Sequence, residues 1–131
     1  MTLKILLVDD SRSFRVAVQA FLGTLPNVQV VGLAHDGHQA LIEAELLKPD
    51  LVLLDIVMPG MSGFEVAHAL RSWPLPPRIV FLSLHDGSDY RAWARAQGAV
   101  GFVSKTDFCV ELIPLLETLA SQVGAVPGAR A

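Results

Sequence analysis

The sequence holds a single cysteine, Cys109, in 131 residues. One thiol excludes an internal disulfide and any metal centre built from several cysteines. Charged residues make up only 18% of the chain, and its 10 lysines and arginines are scattered rather than gathered into a stripe. Direct nucleic-acid binding, which needs such a stripe, is not expected. Long apolar runs are also missing. The opening MTLKILLVDD stops at two aspartates, too soon for a signal peptide or a membrane span. No membrane association and a cytoplasmic location are the expectations. Neither GxGxxG nor GxxxxGK[ST] occurs, so no nucleotide phosphate loop is present, and there are no internal repeats.

What is present is apolar. Hydrophobic residues reach 52% and the net charge is −3. That is too apolar for disorder and enough for one domain with a core. Five short runs read as strands: Lys4–Val8, Val28–Leu33, Leu51–Leu54, Arg78–Leu82 and Ala99–Val103. Three of them are almost continuously apolar, which favours a parallel sheet covered on both faces.

Helical patterns lie between and after them. Ser13–Leu25 carries Phe14, Val18, Phe21 and Leu25 on one stripe, with Ser11 or Ser13 as cap. Gly37–Leu47 ends at Lys48-Pro49. A third helix starts at Ser62 or Gly63 and stops before the proline-rich stretch at Trp73–Pro77. Asp86–Gln97 is stopped by Gly98. Thr106–Gln122 contains Pro114, at either a first-turn position or a kink. The alternation predicts an α/β, doubly wound sheet, which binds ligands beyond the carboxyl ends of its strands. Residues 1–121 form the domain and 122–131 read as a linker-like tail.

At those carboxyl ends stand Asp9 and Asp10, then Asp55, then Ser83, then Ser104 and Lys105. Any one of these residues is commonly a turn or cap residue. Carboxylates from separate strands on one rim, with a hydroxyl and an ammonium, point to a site. Packed carboxylates repel, and Mg²⁺ resolves the repulsion, with Asp10 and Asp55 as ligands and Asp9 acting directly or through water. An ionised Asp55 beside such a cation can accept a phosphoryl group. Lys105, Ser83 and backbone N–H groups after Asp55 can stabilise the transferred oxygens.

The set LLVDD, LLDIVMPGMSG, FLS and FVSK resembles the receiver domain of two-component response regulators, over residues 3 to about 121. DDSRSFR and GAVGFVSK look most like regulators with a LuxR-type helix-turn-helix output. The resemblance implies a flavodoxin-like (βα)5 three-layer sandwich with strand order 2-1-3-4-5. It implies that Asp55 is the phosphoacceptor and that Asp9, Asp10, Asp55 and the Val57 carbonyl hold Mg²⁺. Ser83 and Phe102 become switch residues, and Lys105 a catalytic one. It also implies a histidine kinase or phosphotransfer protein as donor, self-catalysed phosphorylation and slow dephosphorylation, and a signalling face of the fourth helix, fifth strand and last helix. A DNA-binding output domain beyond residue 131 and a homodimer both fit it.

The sequence departs from the family pattern at Thr106, Leu84 and Phe102. Thr106 follows Lys105 where proline is usual. Leu84 follows Ser83 where a small residue is commoner, which narrows access to Asp55. Val57, Leu84 and His85 stand where relatives tune phosphoryl lifetime. Phe102 lacks the hydroxyl of the commoner tyrosine. Cys109 is expected to be a small buried hydrophobe, and His35, His38 and His68 to be surface residues. Competing classes are a haloacid-dehalogenase-type enzyme, a nucleotide-binding module, and a receiver-like protein-binding module that works without phosphorylation. The first needs an aspartate at position 57, which is valine.

Overall fold

The computed structural model describes residues 2–84 and 88–124. His85 and residues 125–131 of the tail lie outside the described residues. The chain alternates β1 (Leu3–Val8), α1 (Arg12–Leu22), β2 (Val28–Ala34), α2 (Gly37–Leu47), β3 (Leu51–Asp55), α3 (Gly63–Arg71), β4 (Arg78–Ser83), α4 (Ser88–Ala96), β5 (Gly101–Ser104) and α5 (Phe108–Gly124). The strands form one parallel sheet in the order β2-β1-β3-β4-β5. This is the doubly wound, flavodoxin-like order that the resemblance implied.

Strand alternation sorts the core into two layers. Leu3, Ile5 and Leu7 of β1 join Leu51 and Leu53 of β3 and Val80 and Leu82 of β4 on one face. There they meet Val18 and Leu22 of α1 and Leu112, Leu116 and Leu119 of α5. Leu6, Val8, Val52, Leu54, Ile79 and Phe81 point the other way, against Ala40 and Ala44 of α2, Val66, Ala67 and Leu70 of α3 and Ala94 of α4. The central strands are buried on both sides, while β2, at the edge, is only partly so.

Local chemistry sets the helix ends. Ser11 caps α1 by accepting from the Phe14 N–H, and Asp36 caps α2 by accepting from the Gln39 N–H. Ser62 and Glu65 form a capping box at α3. Helix α1 stops at Leu22, short of the predicted Leu25. The Gly23 N–H still reaches Gln19 O at 3.0 Å, but the Thr24 side chain takes Phe21 O at 2.7 Å and Pro26 follows. Leu25 nonetheless packs on the core. Of the two readings of Pro114, the structure has it inside α5. Among the described residues, no helix is long and apolar enough to cross a membrane.

Cys109 is exposed, against expectation. At the start of α5 the inward position goes to Phe108, whose ring meets Phe14 at 5.3 Å and Phe21 at 5.6 Å edge-on. Cys109 is left turned outward. His35, His38 and His68 are exposed, as expected.

Candidate functional site

The residues singled out at the strand ends meet because of sheet register. Leu7 pairs with Leu53 and Val8 with Leu54. One further step sets Asp9 beside Asp55. Both continue the odd rows of their strands, toward the α1/α5 side, and Lys105, two residues beyond Val103 on β5, continues that side too. Lys105 closes the group. Its Nζ lies 2.7 Å from Asp9 Oδ2 and 3.2 Å from Asp55 Oδ2, with the side chain only 9% exposed. Its backbone N–H donates to Ser83 O at 2.8 Å, tying β5 to β4 at the rim.

Asp9 is fully buried and Asp55 is 3% exposed, while Asp10 faces solvent. Asp9 Oδ1 accepts from the Ser11 N–H at 2.8 Å. Asp9 Oδ2 has no hydrogen bond of good geometry and is met by the Lys105 ammonium as an ion pair. The Arg15 guanidinium donates to the Asp9 carbonyl at 2.6 Å. Carboxylate oxygens of Asp9, Asp10 and Asp55 all lie within 4.8 Å of one another.

Three carboxylates then face one ammonium, a surplus of negative charge in a largely dry place. Burial, and then the neighbouring Asp9 charge, push Asp55 up to about 7 against the pull of Lys105. A carboxylate raised that far needs either a proton or another cation. The donor set fits Mg²⁺: it is all oxygen, one member opens to water, and a buried oxygen lacks a hydrogen bond.

Ser83 is buried at the end of β4, one residue past Leu82, the partner of Asp55. Val57 and Leu84 sit at the rim, 61% and 73% exposed. Phe102 is 9% exposed and packed with the α2–α4 core layer, away from the acids. The structure thus gathers Asp9, Asp10, Asp55 and Lys105, places Ser83, Val57 and Leu84 at the same end, and sets Phe102 apart.

Other contributors were not singled out from sequence. Gly63 opens α3 so close to β3 that a Cβ there would strike the Asp55 carbonyl oxygen and Ile56 Cα. Its N–H donates to Ile56 O at 2.8 Å. The signal for it was the MPGMSG turn three residues after Asp55. Phe14, whose ring lies 4.8 Å from Lys105 Nζ, had no signal beyond the apolar stripe of α1. A cavity of about 700 Å³ lies at the opposite end of the sheet, lined by Lys48 and Trp73–Pro77.

Comparison with known proteins agrees with this geometry. The model of the response regulator receiver domain matches residues 5–116. The nitrate/nitrite response regulator protein NarL of Escherichia coli is 38% identical over 117 residues, which cover 89% of this chain and 54% of that protein. This chain spans about half the length of such curated relatives. The solved receiver domain of NarL from Mycobacterium tuberculosis superimposes with a TM-score of 0.83 at 38% identity, covering 92% of this chain and 97% of that one. A chain from the complex of the P1 domain of CheA3 with CheY6 of R. sphaeroides gives 0.78 at 33% identity, covering 91% and 97%.

Proposed function

Because this chain belongs to the response regulator receiver domain family, whose members serve two-component signalling, we propose that Asp55 is its phosphoacceptor and that a histidine kinase or phosphotransfer protein is its donor. The observation that carries this reading is the sharing of Lys105 Nζ between Asp9 and Asp55 beside a third carboxylate. The complex of CheA3 P1 with CheY6 among the structural neighbours supports a phosphotransfer partner.

In the reaction, an ionised Asp55 oxygen attacks phosphorus in line with the bond to the donor imidazole. The P–N bond breaks, its electron pair stays on the ring nitrogen, and a P–O bond makes an acyl phosphate. Mg²⁺, when held by Asp9, Asp10, Asp55 and the Val57 carbonyl, supplies positive charge to the carboxylates and the phosphoryl oxygens. Lys105 lies where its ammonium can bind one of those oxygens, and Ser83 where its hydroxyl can bind another. Water attack on phosphorus later returns the carboxylate and frees inorganic phosphate. Val57 and Leu84 line that approach, and His85 stands next in sequence.

The new charge and acceptors then shift a two-state equilibrium. Ser83 moves toward the phosphoryl group, Phe102 changes rotamer, and the face of α4, β5 and α5 presents a different surface. Transcription regulation is the output that the relative named as a probable transcriptional regulatory protein supports, and a solved two-component response regulator of the LuxR family among the structural neighbours supports a LuxR-type output domain. Incubation of the chain with a small phosphodonor and Mg²⁺, read by intact mass, tests the reading. One phosphoryl group should add to wild type and none to Asp55→Ala; no addition to wild type refutes it.

A further inference from the structure

Lys105 has a third neighbour besides its two carboxylates. Its Nζ sits over the ring of Phe14, 4.8 Å from the centroid. We infer that Phe14 is a positioning residue, whose ring face holds the Lys105 ammonium at the phosphoacceptor; this rests on the phosphotransfer role proposed above.

A lysine on a strand-end rim ordinarily swings its flexible stem into water. Here the side chain is 9% exposed and its head is fixed between two oxygens at 2.7 and 3.2 Å. The ring of Phe14 lines the approach from α1. It is itself immobilised: it meets Phe108 of α5 at 5.3 Å and 70°, and Phe108 meets Phe21, two turns further along α1, at 5.6 Å and 89°. Three rings thus lock both ends of α1 to the start of α5. The Phe14 N–H donates to Ser11 Oγ, while the Ser11 N–H donates to Asp9 Oδ1. One short stretch of chain therefore sets both the carboxylate and the ring that Lys105 touches.

The two kinds of contact do different work. Asp9 and Asp55 neutralise part of the ammonium charge. The π face attracts the cation without neutralising it. Lys105 therefore keeps charge to offer to phosphoryl oxygens and needs little rearrangement when they arrive. An aliphatic side chain at position 14 would cover the stem without drawing the head.

Wild type, Phe14→Leu and Phe14→Tyr are compared as whole chains, with acetyl phosphate and Mg²⁺ as the probe and intact mass as the rate readout. The Lys105 Hε protons are followed by NMR without phosphodonor. Ring current should shift those protons upfield in wild type and in Phe14→Tyr. Phosphorylation should slow about three- to tenfold in Phe14→Leu and stay within about twofold of wild type in Phe14→Tyr, whose ring face is intact. Lys105 Hε at an ordinary lysine position in wild type overturns the inference. So does a wild-type rate in Phe14→Leu, or an equal loss in both variants, which would mean packing alone. If wild type takes up no phosphoryl group, the functional reading fails, and the Hε shift still decides the placement of Lys105.

Discussion

Arg91 lies across the ring of Phe102, its guanidinium carbon 4.8 Å from the ring centroid. The same side chain reaches Glu111 Oε1 at 3.3 Å, and that oxygen accepts from the Ser104 N–H at 3.1 Å. Helices α4 and α5 are thereby tied together over the strand that carries Phe102. For Phe102 to change rotamer, as proposed, its contact with Arg91 must break. A partly exposed cation–π contact is worth about 1 kcal/mol, or roughly a fivefold change in population. Arg91→Ala should therefore raise the outward population of Phe102 about fivefold before any phosphorylation. Glu111→Gln should do less, because the amide oxygen can still accept from Ser104 and the ion pair is part-exposed. NMR of the labelled Phe102 ring reads both. Identical ring shifts in wild type and Arg91→Ala would show that Arg91 does not hold the ring.

Gly63 predicts a steric effect of a different kind. Any Cβ there strikes the backbone at Asp55 and Ile56, which cannot yield as a side chain end would. Gly63→Ala should cost about 1–3 kcal/mol by overpacking and displace the acceptor strand end. Gly60, in the same turn, has φ +78° but nothing within 4 Å of a Cβ. Gly60→Ala should cost about 1–2 kcal/mol of backbone strain while leaving the site in place. Urea unfolding gives the two costs and the phosphodonor assay separates them: phosphorylation should be lost at 63 and kept at 60. The reverse pattern would contradict the account of this turn.

The sheet and most site positions were legible because the strands are apolar runs that stop abruptly. Leu51–Leu54 reads as a buried strand with Asp55 at its end, and the structure carries β3 through Asp55. Helix α2 was legible to the residue, since its pattern starts at Gly37 and Lys48-Pro49 marks its end chemically; the Asp36 cap emerged only in the structure. Strand β5 was read as Ala99–Val103, yet it runs Gly101–Ser104. Ala99 is still bonded back to Ala94 of α4, and pairing with β4 starts at Gly101. What composition could not carry was contact between elements distant in sequence. Phe14 looks like any core phenylalanine on a helical stripe, and Arg91 and Glu111 like surface charges. Cys109 was misplaced because Phe108, one residue earlier, continues the stripe of Leu112, Leu116 and Leu119 and takes the inward position in the first turn of α5.

Leu84 carries a kinetic prediction. It follows Ser83 at the site's rim, and the proposed role of a leucine there is to narrow the approach to Asp55. With 73% of its surface free, it can shield only part of the mouth. Leu84→Ala should thus shorten the phosphoryl lifetime about two- to threefold, equivalent to about 0.5 kcal/mol of barrier. Phosphorylated protein is desalted and its mass followed with time. An unchanged lifetime would remove Leu84 from the account of access.

The raised Asp55 carboxyl gives a pH dependence with a defined sign. Its ordinary value of 3.8 applies to the unfolded chain, and it rises to about 7 in the fold. Between those values the folded protein holds a proton that the unfolded chain has released, so stability falls as pH rises. The contribution is full below about pH 4 and gone above about pH 7. In the presence of chelator, wild type should lose urea resistance between pH 5 and about pH 8. Asp55→Asn, which carries no titrating proton, should lose less over the same range. Mg²⁺ competes with that proton. Its affinity, measured by calorimetry, should therefore weaken as pH drops below about 7, by up to tenfold per unit, with proton uptake by the buffer when it binds. Equal pH slopes for wild type and Asp55→Asn, together with a flat Mg²⁺ affinity from pH 5 to about pH 7, would mean that Asp55 is already ionised in the metal-free fold. The ammonium of Lys105 would then outweigh burial and Asp9 together.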